Sequence, residues 1–114
     1  MFKLTEIIEK AKKQQFNPME IFNPKGKDVV FRGTELVKLT SSSENPIQGL
    51  PEGEYISIYM TDKNKFIVFD SRNNEKEGPL VINDKHSLAF GFYGYDRVAK
   101  ALYRLLTIDA YNYI

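Results

Sequence analysis

The stretch that most restricts the fold is residues 54–71, EYISIYMTDKNKFIVFDS. Ile56, Ile58 and Met60 alternate with Tyr55, Ser57, Tyr59 and Thr61; the polar tetrad Asp62-Lys63-Asn64-Lys65 interrupts, and Phe66, Ile67, Val68 and Phe69 follow. Period-two alternation leading into a polar break and a second apolar run predicts a β-hairpin. With Thr61 facing Phe66 across a short turn, Met60 is set opposite Ile67 and Ile58 opposite Phe69, while Tyr59 meets Val68 and Ser57 meets Asp70. That register makes one face wholly apolar and leaves the tyrosines on an amphipathic reverse face. A tyrosine joins a large apolar body to one polar handle, so that face suits either cover by another element or contact with a partner.

Along the rest of the chain, Leu4, Ile7, Ile8 and Ala11 recur at helical spacing and predict an amphipathic helix that ends near Gln15. Asn17-Pro18-Met19-Glu20 carries a helix-start signature, an Asn cap followed by proline, and predicts about one turn before Pro24. Residues 28–32 and 35–40 read as two strands separated at Gly33. Residues 40–53, TSSSENPIQGLPEG, lack periodicity and read as a loop tied down by Ile47 and Leu50. Residues 72–78 form a second polar connector, leading through Pro79 into Leu80-Val81-Ile82. A strand is expected over 87–93 and a helix from Arg97, capped by Asp96, with Val98, Leu102, Leu105 and Leu106 in one apolar stripe. Strands joined in succession by turns imply an α+β domain, residues 1–114. Its sheet is antiparallel, or mixed, with about four to five strands, and an N-terminal and a C-terminal helix pack on it.

The chain has 114 residues, a formal net charge of +1 and no cysteine. The length fits one domain, and the near-neutral charge nominates no class of partner. No apolar run reaches the roughly 20 residues of a membrane helix, and the N-terminus lacks a secretory apolar segment. Absence of cysteine fits a reducing, cytoplasmic setting. The first 27 residues hold six lysines against three glutamates, a mild positive patch far below the stripe of a duplex-DNA binder.

Catalytic constellations are hard to assemble from these residues. His86 is the only histidine, so Asp84 and His86 give at most two ligands of a metal site. As base for a serine nucleophile His86 would need one of Ser41, Ser42, Ser43, Ser57, Ser71 or Ser87, and none sits in a GxSxG elbow. Asp62 and Asp70 fall at opposite ends of one strand, and Glu35 with Lys38 is an ordinary charge pair at a strand edge. The segment FGFYGYDR places a glycine turn before a helix start, but without the spacing of a phosphate loop. The sequence therefore predicts no cofactor, no metal and no enzymatic activity.

Contacts with macromolecules remain. The expectation is a protein-binding module, an inhibitor or accessory protein of the style found in phage and mobile elements, with Tyr55, Tyr59, Tyr111 and Tyr113 as contacts. Self-association would use the same surfaces. The alternative is a single-stranded nucleic-acid binder, in which Arg97, Lys100 and Arg104 form a basic ridge and Tyr93 and Tyr95 stack on bases.

Overall fold

The computed structural model describes residues 4–47, 49–72 and 74–82. The expected strand over 87–93, the helix from Arg97 and the tail at 111–114 lie outside the described residues. Within them the chain runs α1 (Leu4–Ala11), β1 (Asn17–Ile21), β2 (Val29–Thr40), β3 (Tyr55–Thr61), β4 (Phe66–Asp70), α2 (Asn74–Glu77) and β5 (Leu80–Ile82). The five strands form one antiparallel sheet in sequential order, so each pairs with its neighbour in the chain. The fold is α+β, as the succession of strands and turns implied.

The hairpin forms where expected, but its register is one residue away from the predicted one. Met60 pairs with Phe66, Tyr59 with Ile67, Ile58 with Val68, Ser57 with Phe69 and Ile56 with Asp70. The cause is the turn. Thr61 donates its N–H to the Lys65 carbonyl at 2.8 Å, leaving a three-residue loop, Asp62-Lys63-Asn64, in place of the predicted four. Asn64 takes a left-handed conformation, φ 60°, the geometry such three-residue loops require and asparagine tolerates. Since side chains alternate with period two, this single-residue change moves Ile67 and Phe69 to the tyrosine side. It brings Phe66, Val68 and Asp70 to the side of Ile56, Ile58 and Met60.

The N-terminal helix exists but stops at Ala11, with turns carrying the chain on to Gln14. Asn17-Pro18-Met19-Glu20 is strand rather than helix, with Met19 opposite Phe31 and Ile21 opposite Val29. Proline fits here because β1 is an edge strand, where a residue without an N–H is tolerated. The two strands expected on either side of Gly33 are one strand of 12 residues. Gly33 continues it because a Cβ there would lie 2.7 Å from the Phe31 ring and 2.8 Å from the Met60 carbonyl oxygen. The irregularity sits later, at a bulge between Glu35 and Val37. It exchanges the faces of the strand: Phe31, Gly33 and Glu35 share the side of Tyr59, whereas Val37 and Leu39 share the side of Ile58. The polar connector after Arg72 contains one helical turn, α2.

The core occupies one side of the sheet. Ile56, Ile58, Met60, Phe66 and Val68 pack with Val37, Leu39 and Ile82 under α1, which contributes Ile8 and Ala11. The connection over 40–53 remains a loop, and Ile47 and Leu50 bury into the same core as expected. Ser41 fixes its start, its hydroxyl accepting the Ile47 N–H at 3.0 Å and its backbone bonding both Gly53 and Glu54.

Candidate functional site

The reverse side of the sheet carries Met19, Val29, Phe31, Tyr59, Ile67 and Val81 as directly opposite or alternate residues. Its middle is packed. Ile67 is only 2% exposed and Ser57 is buried beside it. Of the four predicted contact tyrosines, Tyr55 and Tyr59 fall within the described residues and are half-buried here, each against a ring. Tyr55 stacks on Phe69 with centroids 5.7 Å apart at 25°, and the Lys38 ammonium stands 4.3 Å from the Tyr55 centroid. Tyr59 meets Phe31 at 5.9 Å and 58°. Such pairs add about 0.5–1.5 kcal/mol beyond burial. They hold the tyrosine rings in the fold rather than presenting them as a free stacking platform. Tyr93, Tyr95, Tyr111, Tyr113, Arg97, Lys100 and Arg104 lie outside the described residues.

Burial pushes the Tyr59 phenol above its ordinary value of 10.0; a hydrogen bond with the Ser57 hydroxyl opposes the shift, and the negative charge of Glu35 adds to it. The unfolded chain ionises this tyrosine first as pH rises, so the stability from the neutral buried phenol is intact below the ordinary value. It falls as pH climbs through the interval up to the folded value. Titrating phenolate absorbance in wild type and Tyr59→Phe checks this: the step lost in the variant is expected above the ordinary tyrosine value. A lost step at or below that value contradicts the burial.

At one end of this face the packing opens into a groove of about 400 Å³. β2 runs past the end of β3, and the space between its first residues and the hairpin turn is the groove. Val29, Phe31, Ile67 and Val81 give its apolar lining. Lys63 and Lys65 bring positive charge to it, against the single carboxylate of Asp62; Arg32 borders it by its backbone, its side chain lying on the other face of β2, where Nη2 donates to the Phe16 carbonyl at 3.1 Å. Val81 is 49% exposed and Val30, at the groove's margin, 72%. Thr61, buried at the base of the turn, accepts the backbone N–H of Lys63 at 3.2 Å and of Lys65 at 3.1 Å through its hydroxyl. The Asp62 N–H bonds the Arg32 carbonyl at 2.9 Å, anchoring the turn to β2.

In the sequence Lys63 and Lys65 are only turn residues and Arg32 is the end of a strand. Their proximity arises from the β2–β3 pairing, and the local signal was the cationic bias of the turn, two lysines to one aspartate. Glu35 and Lys38 flank the bulge on the reverse side, with Lys38 engaged by Tyr55. Among the described residues no group of three or more His, Cys, Asp or Glu is arranged to hold a metal ion. No helix among them is long and apolar enough to cross a membrane.

The class these features define is an α+β domain with a sequential five-stranded antiparallel sheet and an apolar, cation-lined groove on its reverse side. Comparison of the chain with protein-family models, curated proteins and solved structures found no match.

Proposed function

We propose that the protein works by binding another protein, as an inhibitor or accessory module, and that the groove at the open end of the reverse face is the contact. One observation carries the reading: two apolar residues, Val81 and, at the margin, Val30, stay exposed at a concave surface, while Ile67 and Ser57 in the middle of that face are buried. Interfaces are commonly built in this way, with an apolar centre and a polar rim. The tyrosines support the contact from behind, since Tyr59 braces Phe31 in the groove wall.

A photo-crosslinking amino acid placed at Val81, with one at exposed Glu44 in the 40–53 loop as control, tests the reading in the native host. A discrete adduct is expected from position 81 and none from position 44. The purified partner should then bind wild type and lose at least about tenfold in affinity, roughly 1.4 kcal/mol, with Val81→Asp. Equal adducts from both positions, or none from 81, sink the reading. An adduct between two copies of the chain replaces it with self-association.

A further inference from the structure

We infer that the β1–β2 hairpin is a strap over the reverse face, hinged where β2 leaves the β3 ladder at Gly33 and latched at its tip by residues 74–78. β1 and β5 are opposite edges of the sheet, with three strands between them. The segments beside them nevertheless touch. Asn74 donates from Nδ2 to the Phe22 carbonyl at 3.1 Å, Lys25 forms an ion pair with Glu77, and a Cβ on Gly78 would stand 2.5 Å from Asn23 Oδ1 and 3.3 Å from Pro24. Pairing of β2 with β3 ends at Gly33 and Thr61, so a hairpin that leaves the ladder there and meets residues 74–78 has to turn back across the sheet. It crosses on the reverse side: Met19, Ile21, Val29 and Phe31 are half-buried, Pro18, Glu20, Val30 and Arg32 alternate with them and are exposed, and Phe31 rests against Tyr59.

The tip is stiff and the latch is weak. Asn23 Oδ1 accepts the Lys25 N–H at 3.0 Å and Asp28 Oδ1 accepts the Asn23 N–H at 3.0 Å, so the turn moves as a unit. The Lys25 and Glu77 side chains are both more than half exposed, where an ion pair contributes little. Asn74 is 7% exposed, and its Oδ1 has no hydrogen-bond partner among the described residues, a cost that hydration relieves when the latch opens. The inner side of the hairpin is only half-buried, whereas Ile56, Ile58 and Met60 in the central strand are at most 1% exposed. An element with so few buried contacts opens before the rest of the sheet. Opening lifts Val29 and Phe31, one wall of the groove, away from Ile67 and Val81, the other. The latch therefore sets the width of the groove, and its effect on a partner rests on the protein-binding reading above.

Native-state hydrogen exchange on the full chain tests the strap. In the wild type, amides of the β1–β2 ladder are expected to exchange at least about tenfold faster than Ile58. The chain has no cysteine, so Lys25→Cys with Glu77→Cys can be bridged specifically by bis-maleimidoethane, a linker that replaces the reach of the two long side chains and locks the latch. The bridge should slow the ladder amides by about tenfold relative to the unbridged dithiol. Gly78→Ala sets a Cβ against Asn23 at a left-handed residue, φ 77°, and should speed them while Ile58 stays unchanged. Glu77→Lys should speed them less, and Lys25→Glu with Glu77→Lys should return them to the wild-type rate. Ladder amides that exchange no faster than Ile58, a bridge that slows nothing, or a Gly78→Ala effect spread over the whole sheet overturns the inference. Exchange needs no partner, so its failure leaves the Val81 adduct standing, and a missing adduct leaves the strap standing.

Discussion

Replacing Ile58 with alanine is expected to lower stability by about 2–5 kcal/mol, the range for deleting a fully buried aliphatic side chain in a core that relaxes only partly. Ile58 has 0% exposure and lies in the middle strand, opposite Val37 on one side and Val68 on the other. Three backbones joined by ladder hydrogen bonds cannot close on the vacated space without breaking register, so the cavity persists. Domains of this kind have roughly 5–15 kcal/mol in total, and the variant would therefore sit near the threshold of folding. Urea unfolding checks it: the midpoint should fall with the slope unchanged. Val30→Ala is the matched control. At 72% exposure it should stay within about 0.5 kcal/mol of wild type.

The position of Ile58 is legible in the sequence, because strict alternation with Tyr55, Ser57, Tyr59 and Thr61 puts Ile56, Ile58 and Met60 together on one side. What those isoleucines face was not. The second strand, Phe66-Ile67-Val68-Phe69, is apolar at every position, so its pattern cannot say which alternate pair faces the core. Only the turn length decides that. The asparagine at position 64 was the available signal, since a left-handed third residue marks a three-residue loop.

Strand β2 shows a similar ambiguity. Phe31, Val37 and Leu39 are all odd-numbered and read as one face, yet the bulge after Glu35 divides them between the two sides. Pro18 shows local and global signals in conflict: the dipeptide favours a helix start, and edge pairing with β2 overrides it. The groove was illegible for a different reason. Its walls come from residues 29–32, 61–67 and 81, which only the antiparallel order of the strands brings together.

Arg72→Met should destabilise the protein by up to about 3–5 kcal/mol, because it removes the opposing charge from a buried carboxylate. Asp70 stands directly opposite Ile56 on the core side and is only 4% exposed. The guanidinium clasps it at two points, Nε to Oδ1 at 3.2 Å and Nη2 to Oδ2 at 2.8 Å. The Arg72 backbone N–H adds a third bond to Oδ1 at 2.9 Å, which the variant keeps. That bond and the partial exposure of the arginine side chain place the expected loss toward the lower end of the range. Replacing both partners, Asp70→Leu with Arg72→Met, should lose less than Arg72→Met alone, since no desolvated charge is then left behind. A double variant less stable than the single one would show that the pair acts mainly by holding geometry. Arg72 also donates through Nη1 to the Gly49 carbonyl at 3.3 Å, fastening the 40–53 loop to the end of β4. Loss of the guanidinium should therefore speed amide exchange at Leu50, whose N–H bonds the Ile47 carbonyl at 2.9 Å, more than at Ile58 in the central ladder. In that order the loop is released first and the core follows, because Ile47 and Leu50 form the lid over that corner of the buried cluster.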